Sequence, residues 1–310
     1  MKKIYLDNAA TTPLRQEVIA EMMQVLQNDF GNPSSTHSFG RSAKTVLETS
    51  RKSIAKWMGC NAQEIIFTSN ATEATNWILK SAVKDLQVQR IITSKVEHHA
   101  TLYTVKHLQS KYNIAVDFVN IIPTGAIDMT HLVDLLAKEG KTLVTLMHVN
   151  NEIGVIQDID AIGQLLKDKG VIFHVDAAQS AGKLPINLQK LPIDLMSLSA
   201  HKNYGPKGVG ALYVRHKPRI RIQPQSFGGG QEGGLRAGTL PTHQIVGMGE
   251  AFELSEAERI EEQARLLALR QHLWAGISML PGIHLNGSVT QRVAGNLNVS
   301  FSGIDGATLL

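Results

Sequence analysis

The feature that most limits what this chain can become is a repeated change of hydrophobic period. Between residues 64 and 214, short apolar runs rich in β-branched residues alternate with stretches of helical spacing. Residues 64–68 read as strand and 71–84 as helix, then 90–93 as strand and 99–111 as helix. Strand 115–118, a helix near 131–139, strand 142–149, helix 158–169 and strands 171–176, 194–199 and 209–214 complete the series. Strands this apolar on both faces must be covered on both, and parallel neighbours need helical crossovers. The expected fold class is therefore α/β, a mostly parallel sheet flanked by helices. From about residue 240 the texture changes to one long helical stretch through 279, with Leu254, Ala257, Ile260, Ala264, Leu267 and Leu273 near helical spacing. Residues 297–301 then alternate like a half-buried strand, which reads as the start of a smaller α+β domain.

Charge and composition remove several function classes. The 31 basic and 27 acidic residues leave +4, and the densest basic run, 215–221, has no aromatic platform, so direct nucleic-acid binding is not expected. Cys60 is the one cysteine, which excludes an intrachain disulfide and fits a reducing compartment. The amino-terminal residues carry charge but no signal-like apolar run, and no stretch has membrane length. A soluble, cytoplasmic protein without a membrane partner is expected.

In parallel sheets ligands bind beyond the carboxyl ends of the strands, so polar residues there carry most information. At residues 68–73, Asn70 and Glu73 have the spacing of a capping box. Capping alone accounts for these residues, while free amides at the same helix start, with the Thr72 hydroxyl, also suit a phosphate. Asp176 follows an apolar strand, where a carboxylate is costly unless paired. It fits a helix cap, a metal ligand with His174, or the partner of a protonated heterocycle. His174 and Asp176 are expected on opposite strand faces, against shared metal ligation, and no metal site is expected. Lys202 follows another strand beside Ser199 and His201. Most lysines are surface residues, but in a desolvated cleft a lysine loses its proton and forms an imine. The glycine-rich run 228–239 reads either as a flexible linker or, through Gln231, Arg236 and Thr239, as a loop that meets a ligand or another subunit.

The order of these pieces resembles the cysteine desulfurases of the NifS/IscS type, class V fold-type-I enzymes dependent on pyridoxal phosphate (PLP). The resemblance runs from residues 5–13 to the end. It takes in 30–35, Thr72-Glu73, Glu97-His98, 148–155, Asp176 with Gln179, Ser199 with His201-Lys202, 205–208 and Arg236 with 238–241. It implies a large PLP-binding domain over 14–250, a smaller one formed by 1–13 with 251–310, and a homodimer. Lys202 would hold pyridoxal 5'-phosphate as a Schiff base and Asp176 would pair with its ring nitrogen. His98 would stack on the ring and assist proton transfer, and Asn151 and Gln179 would reach the phenolic oxygen and the substrate. Ala71, Thr72, Ser199 and His201 would hold the phosphate, with Thr239 from the partner subunit. The implied reaction converts L-cysteine to L-alanine and passes persulfide sulfur to acceptor proteins, such as an Fe–S scaffold, for cluster assembly or tRNA thiolation.

Two departures from the family pattern, Asn70 and Ala200 where glycine is common, are expected to crowd the phosphate loop slightly. A third is larger: the family's nucleophilic cysteine and its carboxylate-binding arginine lie beyond the strand at 297–301, and the expectation is of a chain lacking that carboxyl-terminal part. Cys60, after an early helix, has no counterpart in the family's chemistry. Such a chain is expected to bind PLP without transferring sulfur. The competing readings are another class V lyase or aminotransferase, including a selenocysteine lyase, and a non-catalytic PLP-binding dimer or interaction subunit.

Overall fold

The computed structural model describes residues 3–309; Met1, Lys2 and Leu310, which belong to the expected smaller domain, lie outside the described residues. Helices α1 (Gln16–Asn28) and α2 (Ser38–Met58) lead into β1 (Ile65–Thr68), α3 (Ala71–Lys84), β2 (Arg90–Ser94), α4 (His99–Tyr112), β3 (Ala115–Val119) and α5 (Met129–Leu136). Then follow β4 (Thr142–Met147), α6 (Ile159–Lys167), β5 (Ile172–Asp176), β6 (Leu195–Ser199) and β7 (Gly210–Val214). The chain continues through α7 (Thr242–Ile277), β8 (Ile283–Leu285), β9 (Val299–Phe301) and the short α8 (Gly306–Leu309).

Seven strands form one sheet in the order β1-β7-β6-β5-β4-β2-β3. Only β7 runs against its neighbours, pairing antiparallel with β1 and with β6. Six of the strands are buried at every residue, as double-sided coverage requires. Two apolar cores account for this. One, containing Leu47, Ile54, Phe67, Phe173 and Phe252, lies under α2, α6 and α7; the other, containing Trp77, Ile78, Ile91, Leu108 and Leu212, lies under α3 and α4.

Helix α7 departs from its expected packing. Its buried residues fall in the first third, from Thr242 to Phe252, where the Trp57 and Phe252 rings meet at 4.7 Å. The expected stripe beyond it is open, with Ile260 81% and Leu273 48% exposed. At 36 residues α7 is about 54 Å long, and its later part meets the segment ahead of β9, where Arg270 Nη1 donates to the Val293 carbonyl at 2.9 Å; β8 and β9 pair antiparallel with each other. No helix among the described residues is long and apolar enough to cross a membrane.

Candidate active site

The carboxyl ends of β4, β5 and β6 open on one cavity of about 400 Å³. Its walls carry nine of the ten residues singled out from the sequence: Ala71, Thr72, His98, Asn151, Asp176, Gln179, Ser199, His201 and Lys202. The tenth, Thr239, does not line it and is exposed in the single chain. Parallel strands that end together at one edge produce this convergence: Met147 and Asp176 are register partners, and so are Asp176 and Ser197.

Burial dominates the cavity's electrostatics. Asp176 is 7% exposed, and its carboxyl is pushed above the usual range by burial, against the opposing pull of the Ala178 N–H, Lys202 and His98. Its Oδ1 accepts the Ala178 N–H at 2.9 Å. Burial lowers Lys202 more than Asp176 and Glu152 raise it, so the amine gives up its proton more readily than a surface lysine. His98 caps α4, its Nδ1 accepting the Ala100 N–H at 3.1 Å, and burial lowers its proton affinity. A neutral ring in that bond carries its proton on Nε2.

One part of the cavity wall is built from the start of α3 and the end of β6. Asn70 Oδ1 accepts the Glu73 N–H at 2.8 Å, half of the expected capping box. The other half is replaced: Glu73 accepts from Ser69 N and Oγ and pairs with Arg236 Nε at 2.6 Å. Asn70 sits in extended backbone (φ −178°), open to any residue, and Ala200 is absorbed into the core, so neither needs a glycine here. Ser199 Oγ is buried with no hydrogen-bond partner among the described residues. A helix N-terminus facing an orphaned hydroxyl is a chemical match for an anion. With a deprotonatable lysine and a buried carboxyl alongside, the donor set fits pyridoxal phosphate.

Several expected ligands hold one another instead. Gln179 Nε2 donates to Ala9 O at 2.7 Å while its Oε1 accepts from Lys183 Nζ at 3.3 Å, and Asn151 Nδ2 donates to Glu152 Oε1 at 2.7 Å. The His201 carbonyl accepts the Thr12 N–H at 2.9 Å and both threonine hydroxyls, from Thr11 and Thr12. This fastens an amino-terminal arm whose Asp7, Ala9 and Ala10 close one wall. The resemblance takes in residues 5–13 but assigns none of them to the cavity; their place at its wall emerges only from the fold.

His174 and Asp176 correct a sequence expectation. Positions two apart in a strand share a face; they are not on opposite ones. What separates them is bonding: His174 is held between Thr145 Oγ1 at 2.8 Å and Ser197 Oγ at 2.9 Å, and full burial lowers it to about 3. The glycine-rich run is likewise no free linker. Glu232 is buried against Arg51, accepting from Nη2 at 2.6 Å and from the Phe67 N–H at 2.7 Å. Cys60 follows the left-handed Gly59 (φ 64°), packs against the larger core and does not line the cavity. Burial, reinforced by Glu64, pushes its thiol up to about 12.

Residues 4–310 match the family model for class-V aminotransferases. The cysteine desulfurase IscS of Pectobacterium atrosepticum is 49% identical over 314 residues, spanning 99% of this chain and 77% of that protein. The IscS of Aeromonas hydrophila is 46% identical with the same coverage. Among solved structures, a NifS-like protein superposes with a TM-score of 0.95 at 39% identity, over 99% of this chain and 84% of that one. A structure described as SspA in complex with cysteine superposes with a TM-score of 0.85 at 37% identity, over 97% and 84%.

Proposed function

The chain belongs to the class-V aminotransferase family, among its IscS- and NifS-like cysteine desulfurases, and on that premise we propose that its cavity holds pyridoxal 5'-phosphate on Lys202 and acts on L-cysteine. One observation carries the reading. A single cavity joins a lysine of lowered proton affinity, a buried aspartate, and a helix N-terminus beside an unpartnered serine hydroxyl.

When bound, the cofactor supplies an aldehyde carbon that an amine can attack and, with its ring nitrogen protonated, an electron sink. Lys202 would hold that carbon covalently, because its burial favours the neutral, nucleophilic amine. Asp176 would keep the proton on the ring nitrogen, exchanging a costly unpaired burial for a charge-assisted bond. Ala71, Thr72, Ser199 and His201 would hold the phosphate, and Thr239 would reach it from the second subunit of a homodimer. Asn151 and Gln179 would turn from Glu152 and Ala9 to the phenolic oxygen and substrate. His98 holds a proton at Nε2; taking a second one at Nδ1 requires release of the Ala100 N–H. In this reading residues 14–250 form the cofactor domain, and 1–13 with 251–310 belong to the smaller one.

The proposed overall reaction is conversion of L-cysteine to L-alanine with persulfide sulfur passed to acceptor proteins such as an Fe–S scaffold. Only a thiolate is competent to take the sulfur. Cys60, buried and raised to about 12, is unsuited to it, so residues 1–310 would activate the substrate without accepting its sulfur. Cysteine as the bound ligand of the related SspA structure supports this choice of substrate. The test is loss of deuterium from the Cα of labelled amino acids in the PLP-loaded protein. Exchange should be fastest with L-cysteine; exchange with L-aspartate and none with L-cysteine would overturn the reading in favour of a transaminase.

A further inference from the structure

Beside the cavity floor lies a carboxyl group that none of these roles uses. Glu97, between β2 and α4, is 6% exposed. Both of its hydrogen bonds fall on one oxygen: Oε1 accepts from Ser94 Oγ at 2.9 Å and from the Met147 N–H at 3.1 Å. Oε2 is buried with no hydrogen-bond partner among the described residues. A buried carboxylate needs donors on both oxygens. The neutral acid meets this arrangement at lower cost: its carbonyl oxygen accepts both bonds, and one buried hydroxyl without a partner is less unfavourable than an unpaired buried anion. Its location gives the neutral form a consequence, because Met147 is the register partner of Asp176 and Glu97 directly precedes His98.

We propose that Glu97 is a positioning residue that remains a neutral acid, tying the end of β2 to the end of β4 and leaving Asp176 as the only buried carboxylate of the cavity floor. Burial, with the charge of Asp176 added to it, raises Glu97 to about 8, in agreement with the bonding pattern. The titratable groups around it are few. His98 caps α4, His148 follows β4 and is itself held neutral by burial at about 4, and Asp176 ends β5 with Lys202 opposing its charge. Ionisation of Glu97 above that point places a second negative charge beside Asp176. That charge raises the proton affinity of Asp176 and of a ring nitrogen held beside it. This consequence rests on Asp176 acting as the ring-nitrogen partner; the protonation of Glu97 does not.

Infrared spectroscopy of protein labelled with isotopic glutamate, without cofactor, reads the proton directly. The expected result is the carbonyl stretch of a buried, slowly exchanging glutamic acid at neutral pH, disappearing with a midpoint near 8 and absent from Glu97→Gln. The glutamine keeps an accepting oxygen, so this variant should retain PLP through gel filtration as wild type does near neutrality. Asp176→Asn should move the Glu97 midpoint downward whether or not Asp176 partners the ring, which separates failure of the two ideas. No protonated-glutamate band in the labelled wild type, a measurement that needs no variant to fold, overturns the proposal. A band that persists in Glu97→Gln overturns it equally.

Discussion

Burial has opposite chemical effects at Lys202, by the carboxyl ends of the strands, and at Cys60, in the turn after α2. Both groups lose water, and in both the charged form is the one that suffers. For the lysine that form is the acid, so burial lowers its proton affinity and frees the lone pair. For the cysteine it is the base, so burial withholds the thiolate at about 12. One physical cost therefore activates the amine and silences the thiol. The surroundings reinforce the contrast: Lys202 shares a cavity with Asp176 and the start of α3, whereas Cys60 packs among apolar residues of the core.

The largest effect that could break this contrast is at the lysine. Lys202→Ala should abolish covalent cofactor attachment, leaving only what dialysis removes. Lys183, lowered to about 8 by burial and by the charge of Lys202, is the other amine able to compete, and attachment there in the variant would weaken the claim for one dedicated lysine. Next comes Asp176→Ala. It should keep some cofactor through the phosphate end but slow Cα proton exchange by roughly a hundredfold or more, since removing one member of a buried charged pair costs about 3–5 kcal/mol. Near-normal exchange would remove the aspartate from its role.

The glycine-rich loop sharpens the comparison on the stability side. Arg51→Met strands the buried Glu232 carboxylate, and the expected cost is on the order of 3 kcal/mol in denaturant unfolding. Faster hydrogen exchange at residues 228–239 should accompany it, and a loop that stays protected would show that the pair does not anchor it. A pH-dependent effect belongs to His174. Its folded value near 3 lies below the ordinary 6.5, so the stability of its neutral form is present above 6.5 and is lost as pH falls toward 3. The folding constant should drop by up to about tenfold per pH unit across that window. The slope should be shallower in His174→Phe, measured as unfolding midpoints from neutral to mildly acidic pH.

Where local chemistry and tertiary packing agree, the sequence was informative. Residues 71–84 form a helix with the expected bounds because the Asn70 cap and the apolar face of Trp77, Ile78 and Leu79 act together. Nine of the ten expected site residues meet because parallel strands ending at one edge bring distant strand ends together. The failures are long-range. Nothing near Glu232 announces that Arg51, 181 residues away, will bury it. The spacing of Leu254 to Leu273 announces a face but not what covers it, and in this chain it stays open. His174 was misjudged for a local reason, the face shared by alternate strand residues, and its hydrogen bonds needed the sheet order to be seen.

The central claim, one activated amine and one silenced thiol, is tested most directly by mass spectrometry of the 310-residue chain. The protein would be loaded with PLP, exposed to L-cysteine or left without it, and then mapped by peptide. Borohydride treatment of the sample without cysteine fixes the cofactor in place, and the sample with cysteine is left unreduced so that any persulfide survives. The account predicts cofactor mass on the peptide that contains Lys202 in the reduced sample and an unmodified Cys60 in both samples, with Cys60→Ser giving the same map. Cofactor fixed on another lysine, or a persulfide on Cys60 that disappears in Cys60→Ser, would contradict it.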